Sequence, residues 1–134
     1  MKVRWTRDSL RLRITPSEME AVQSGEAATA ALGFPGGLIW TVTLGPSAEA
    51  TGLNSSDQGV FLSLSAPDLA ALARPEAEGV YFQTDGLQPL RYYVEKDYPC
   101  VHPRAGEAGE AASETFDAPE GHEMQEEAPE INGD

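Results

Sequence analysis

Residues 10–44 and 60–94 superpose at an offset of 50 without a gap, and this self-similarity is the strongest constraint on the fold. Both stretches have the pattern of strand, capped helix, strand, turn and strand. LRLRITPSEMEAV lies over VFLSLSAPDLAAL, and Gly36 of the first turn lies over Gly86 of the second. A fixed period is typical of a duplicated supersecondary unit. The alternative is a chance overlay, which any α+β chain with regular turns can produce.

Local patterns support the duplication. Apolar and charged residues alternate from Leu10 to Ile14, which predicts a strand with one buried face. Thr15, followed by proline and then Glu18, forms a helix-start signal with a capping box. In the second half, Ser65 and Asp68 form the corresponding signal, with Asp in place of the usual Glu.

These patterns predict one α+β domain over residues 1–102, with internal repeats at about 1–45 and 50–95. Each repeat is predicted to be a ββαββ unit. Eight strands in two matching halves are expected to form a strongly curled antiparallel sheet or a small closed barrel, flanked by two short helices. Closure would remove the exposed sheet edges that a β-rich protein must otherwise protect.

Charge is distributed unevenly along the chain. Up to Arg104 there are nine basic and twelve acidic residues, whereas the last thirty residues hold ten acidic residues and no Lys or Arg. Residues 103–134 are rich in Gly, Ala, Glu, Ser and Pro, so we predict a disordered acidic tail there. The formal net charge of −13 argues against nucleic acid as a partner. A protein or a small anionic ligand remains as the expected partner.

Composition also limits the cellular setting. A single cysteine allows no disulfide within the chain. The N-terminus alternates charged and apolar residues, unlike a signal peptide, and no apolar run is long enough to span a membrane. The chain is therefore expected to be soluble, cytoplasmic and without a membrane partner. No motif indicates a cofactor.

Four basic residues form the first candidate site: Lys2, Arg4, Arg11 and Arg13. Strand alternation places them on one face, opposite the apolar residues of the same strands. Like charges that face each other across a strand pair repel. Some anion is therefore expected nearby: a ligand phosphate or carboxylate, acidic residues of neighbouring strands, or the acidic tail. The alternative is a solvated face screened by counter-ions.

The densest group of reactive side chains follows the last predicted strand and comprises Glu95, Lys96, Asp97, Tyr98, Cys100 and His102. A structural zinc site takes four Cys or His ligands, but the chain has one Cys and two His. We therefore predict no metal site. A nucleophilic Cys–His pair would need a third, orienting group, so no catalytic residue is assigned. The alternative is a partly buried thiol beside a surface histidine.

SLRLRITPSE near the N-terminus and VEKDYPC at residues 94–100 carry a family resemblance. Across residues 1–100 the chain resembles a small bacterial family of uncharacterised proteins, classed as a domain of unknown function. Members open with an SLRLR-type hairpin, close with a VEKD-aromatic-x-C segment and usually end in an acidic tail. The resemblance implies no established activity, and the closing segment is a family feature of unknown purpose.

Two functional hypotheses follow. The first is a non-enzymatic binding or interaction module whose acidic tail modulates its contacts. The alternative is a small barrel or enzyme that holds an anionic ligand with Arg4, Arg11 and Arg13. A deep pocket lined by these arginines would favour the alternative, whereas a filled interior with the arginines on the outside would favour the interaction module.

Overall fold

A computed structural model describes residues 1–98 and 115–117 of the chain. In this part of the chain, the order strand, strand, helix, strand, strand occurs twice. The elements are β1 (Lys2–Trp5), β2 (Ser9–Ile14), α1 (Pro16–Gln23), β3 (Ala28–Gly33), β4 (Ile39–Ser47), β5 (Gly52–Ser56), β6 (Gly59–Ser65), α2 (Ala66–Ala73), β7 (Gly79–Gln83) and β8 (Arg91–Lys96).

The strands form two open sheets of four strands each. The terminal sheet has the order β1-β2-β8-β7, and the central sheet has the order β3-β4-β6-β5. In each sheet the two inner strands run parallel, and the outer pairs are antiparallel. The expected single antiparallel sheet or barrel is therefore wrong. Each helix carries the chain from one sheet to the other, so the eight strands never form one continuous ladder.

The two halves are equivalent at the level of single residues. Leu12 pairs with Val94 in the terminal sheet, and Leu62 pairs with Leu44 in the central sheet. Adding 50 to Leu12 gives Leu62, and adding 50 to Leu44 gives Val94. The two parallel strand pairs therefore have the same register, as a pseudo-twofold relation requires.

The offset of 50 between the two halves does not hold for β3 and β7. Ala30 pairs with Val42, and Phe82 pairs with Tyr92. The β4 and β8 partners differ by 50 in number, but the β3 and β7 partners differ by 52. In the second half, two more residues therefore separate the helix from the equivalent paired position, and two fewer residues separate the two paired positions. Hydrophobic patterning missed this shift because β3 consists mainly of small residues.

Both helices begin where the sequence predicted. The Glu18 backbone N–H donates to Thr15 Oγ1 at 3.3 Å, and the Thr15 N–H donates to the Glu18 carboxylate at 2.9 Å, which completes a capping box. At α2 the Asp68 N–H donates to Ser65 Oγ, but the Ser65 N–H donates to Thr51 Oγ1 at 2.8 Å. Aspartate is one methylene shorter than glutamate, so Thr51 takes over the second half of the box.

Side chains from both sheets and both helices form one buried cluster. Its members are Leu10, Leu12, Ile14, Met19, Val22, Val42, Leu44, Val60, Leu62, Leu64, Leu72, Tyr92 and Val94. The space between the inner faces of the sheets is therefore filled with apolar side chains. The outer faces are left for other roles.

Two further expectations concern the described range. None of the helices that the structure describes is long and apolar enough to cross a membrane. The predicted disordered acidic tail, residues 103–134, lies outside the described residues except for residues 115–117.

Candidate functional site

The outer face of the terminal sheet carries the four predicted cations. The register of β1 and β2 places Lys2 opposite Arg13 and Arg4 opposite Arg11, so like charges face each other across the strand pair. Lys2 and Arg4 are exposed, and the two β2 arginines are half-buried. The face is open to solvent and lies on the opposite side of the sheet from the core.

The second half of the chain extends this face. Because β8 pairs with β2, Tyr93 lies beside Arg11 and Arg91 lies at the open end of the same face. Tyr81 of β7 comes next, with its ring centroid 5.3 Å from that of Tyr93. We define the basic face as Lys2, Arg4, Arg11, Arg13, Arg91, Tyr81 and Tyr93. The sequence pattern predicted a basic face in the first half alone, because alternation does not show which strands are neighbours.

Acidic residues on and just after β8 relieve part of the repulsion. Arg11 Nη1 lies 3.8 Å from Glu95 Oε1, and Lys2 Nζ lies 3.1 Å from Asp97 Oδ2. Asp97 is almost fully buried, so its charge is held in place next to the exposed Lys2. The anions next to Lys2 and Arg11 are thus acidic residues of the neighbouring strand and the residue that follows it, one of the three anion sources expected from the sequence.

Tyr81 connects the aromatic and acidic parts of the face. Its hydroxyl donates a hydrogen bond to Glu95 Oε2 at 2.9 Å. Tyr81 as a whole is 58% exposed, and its phenol group is partly buried. This desolvation, the bond to Glu95 and the negative charge of that carboxylate raise the pKa of Tyr81 well above its usual value. Glu95 is therefore anchored at the centre of the face.

Alkaline titration should reveal this environment. Burial also raises the pKa of Tyr92 and of Tyr98, so three phenols should ionise above the ordinary value of 10.0. On raising the pH, the phenols of the unfolded chain lose their protons before those of the folded chain. The contribution of the three tyrosines to the free energy of unfolding is therefore complete below about pH 10 and falls as the pH rises above that value. The ultraviolet absorbance of folded and of urea-unfolded protein, followed against pH, measures the rise in the tyrosine pKa values. Tyr81→Phe should remove the part of the folded protein's titration curve that lies at the highest pH. Identical titration curves for the two states would contradict this assignment.

The outer face of the central sheet has a different character. The four strands of this sheet contain no charged residue. At the position equivalent to Arg11 the central sheet has Phe61, whose ring packs over Gly45, and Ser63 stands at the position equivalent to Arg13. The sequence predicted a basic face in one half of the chain and not in the other. In the structure this difference in charge is a difference between the two sheets.

The segment after β8 is structural in its first part. Lys96 is buried, and its Nζ donates a hydrogen bond to the backbone oxygen of Arg74 at 2.6 Å. Arg74 is the C-cap residue of α2, whose last turn has no basic residue of its own. Lys96 therefore supplies the positive charge favoured at a helix C-terminus. Burial lowers the pKa of Lys96, and the negative charge of Glu76 opposes this effect.

Asp97 and Tyr98 also have structural contacts. The Asp97 N–H donates to the backbone oxygen of Ile14 at 3.0 Å, and the Tyr98 hydroxyl donates to the backbone oxygen of Ala77 at 3.4 Å. These contacts hold the end of β8 against both halves of the domain. Cys100 and His102, the other two candidates, lie outside the described residues.

Phe116 was not among the residues predicted from the sequence. Its backbone N–H donates to the Asp97 oxygen at 2.8 Å, and its ring lies near Tyr98 and 5.7 Å from Lys96 Nζ. It forms part of the wall of a pocket of about 450 Å³ between the ends of α1 and α2. The sequence signal was one aromatic residue in an Ala- and Glu-rich segment, which alone does not predict an anchor.

A comparison with protein families found a match over most of the chain. The model of DUF7009, a family of unknown function, matches residues 1–120. The chain belongs to this family. The resemblance inferred from its SLRLR and VEKD segments is therefore confirmed, and the DUF7009 match extends past β8 to include Phe116. No curated protein and no solved structure matches this DUF7009 chain.

Proposed function

We propose that this DUF7009 chain is a non-enzymatic binding module that holds an acidic segment of a partner protein on its basic face. One observation carries the proposal. Five of the nine basic residues in the whole chain lie on one open sheet face, together with two tyrosines.

The spread of the cations favours an extended ligand over a small one. The five charges occupy three adjacent strands, which are about 4.8 Å apart from one strand to the next. A single small anion cannot contact all of them, whereas an extended peptide with several carboxylates can cross the face. The space between the sheets, where a ligand-binding barrel would hold its ligand, is filled with apolar side chains.

Charge favours an acidic peptide over nucleic acid. Glu95 holds a carboxylate at the centre of the face, where it would repel the closely spaced phosphates of a polynucleotide. Carboxylates on a peptide are further apart and can avoid Glu95. The acidic residues after Arg104 are then expected to compete with the partner for this face.

Exposed ion pairs each contribute only about 0.2–1 kcal/mol, so binding through the basic face should be weak and sensitive to salt. Fluorescence anisotropy with a labelled glutamate-rich peptide at low salt tests this. The double variant Arg4→Glu/Arg91→Glu replaces two exposed cations and should weaken binding by about tenfold or more.

Arg7→Glu is the matched control, because Arg7 lies in the turn between β1 and β2 and not on the face. This variant should bind the peptide with nearly wild-type affinity. Equal losses in the double variant and the control would contradict a specific face. Tighter binding of a single-stranded oligonucleotide than of the peptide would overturn the choice of partner. Circular dichroism of every variant checks that the fold is retained.

A further inference from the structure

The β3–β4 hairpin presents an unprotected sheet edge. β3 pairs with β4 on one side, and no strand that the structure describes lies on its other side. Exposed edge strands offer backbone N–H and C=O groups to other chains, so proteins usually block them with Lys, Pro or other charged residues. The sequence of β3, ATAALG, has none of these, whereas the edge strand β1 carries Lys2 and Arg4.

Large apolar side chains are concentrated at the end of the same hairpin. Four of them, within eight residues of sequence, are 44–60% exposed: Leu32, Phe34, Leu38 and Ile39. Beside them, Trp5 is 52% exposed and its ring packs edge-on against Trp40 at 5.5 Å. The register places Leu32 and Trp40 on one face of the hairpin and Ile39 on the other, so apolar side chains surround its end. Exposed apolar surface of this kind marks an interaction surface.

We propose that two copies of this chain associate through this hairpin, with β3 of one copy pairing antiparallel with β3 of the other. Charge selects a second copy as the occupant. Residues 27–48 contain no charged residue, although the chain has a formal net charge of −13. This hairpin is a surface on which two copies meet without like charges facing each other, and it offers a charged partner nothing to recognise.

Geometry is consistent with a closed dimer. Antiparallel pairing of identical edge strands places them about a twofold axis, so the same patch is buried on both copies and association stops at two. The two central sheets then become one eight-stranded sheet, and the β3 edge of each copy is covered. The basic face lies on the terminal sheet, so this inference is independent of the proposed function.

Sedimentation velocity of the full chain over a range of concentrations tests the inference. The wild-type protein should be dimeric at high concentration and dissociate on dilution. Leu32→Lys/Ile39→Lys places a charge on each face of the hairpin end and should give a monomer at the same concentrations. Leu87→Lys is the matched control, because Leu87 is fully exposed in the turn between β7 and β8, the equivalent hairpin of the terminal sheet. This control should remain dimeric.

Hydrogen exchange then identifies the surface. The amides of residues 28–33 should become more protected as the wild-type protein dimerises, and those of β1 should not. A wild-type chain that stays monomeric at every concentration overturns the inference, and so does a Leu32→Lys/Ile39→Lys variant that still dimerises. Protection confined to other strands would also overturn it. A wild-type circular dichroism spectrum and a cooperative thermal transition in the double variant show that monomer formation is not caused by unfolding. Its midpoint should match that of wild-type protein diluted to the monomer, since dimerisation itself raises the midpoint.

Discussion

Replacing Gly59 by alanine should destabilise the protein by about 4 kcal/mol or more, a loss reserved for substitutions with a severe structural conflict. Gly59 is the first residue of β6 and has a φ of 149°, which side-chain-bearing residues rarely adopt. An added Cβ would lie 1.9 Å from the backbone oxygen of Thr41 in β4. Because this atom belongs to a paired strand, it cannot move unless β4 and β6 separate. A typical domain has only about 5–15 kcal/mol of stability.

Urea unfolding followed by circular dichroism measures this loss. Gly52→Ala is the matched control, because Gly52 begins the neighbouring strand β5 and an added Cβ there meets no atom within 4 Å. Its effect should stay within about 1 kcal/mol, since removing glycine also reduces the entropy of the unfolded chain. Similar, small effects in both variants would show that the approach of β4 and β6 at Gly59 is wrong.

Leu62→Ala should cost about 3 kcal/mol, within the usual range of about 2–5 kcal/mol for a buried leucine. Leu62 is fully buried in an inner strand of the central sheet. Leu12, its equivalent in the terminal sheet, is also fully buried, so Leu12→Ala should cost a similar amount. Near-equal losses are what the pseudo-twofold relation predicts, because both leucines have the same position in the register.

Urea midpoints of the two variants, with Leu87→Ala as an exposed leucine control, provide the comparison. The control should unfold at the wild-type midpoint. A large loss for Leu62→Ala together with a negligible one for Leu12→Ala would mean that the two sheets do not share one cooperative core. The unfolding slope should be the same in all three variants if unfolding is two-state.

The elements of the fold could be predicted because their signals are local. Thr15 and Ser65 cap their helices through residues three positions later in the chain. Alternation from Leu10 to Ile14 identified the buried side of β2 correctly. These signals depend on backbone and side-chain chemistry within a few residues, so they are visible in the sequence.

Strand pairing could not be predicted in this way. Alternation shows which side of a strand is buried, but not which strand lies beside it. β2 and β8 are joined by the pair of Leu10 and Tyr92, which are far apart in the chain, and a gapless overlay gives no information about such contacts. The sequence therefore predicted two similar halves correctly, but not that each half divides its hairpins between two sheets.

The same limit applies to the candidate site. The four cations of β1 and β2 were predicted from alternation and do lie on one face. Arg91 and Tyr93 were missed as members of that face because they belong to it only through the pairing of β8 with β2. Phe116 was missed because it lies in a segment of low complexity, and its contacts are with Asp97 and Tyr98, well before it in the chain.

The exchange of hairpins between the two halves sets the order in which the sheets can be completed during synthesis. The central sheet uses one continuous stretch of chain, residues 28–65, whereas the terminal sheet combines the first two strands with the last two. A ribosome therefore releases a complete central sheet while the inner edge of β2 still lacks its partner strand. The backbone N–H and C=O groups of that edge stay unpaired until β8 emerges, so the N-terminal hairpin is the part of the nascent chain most exposed to aggregation and to chaperones.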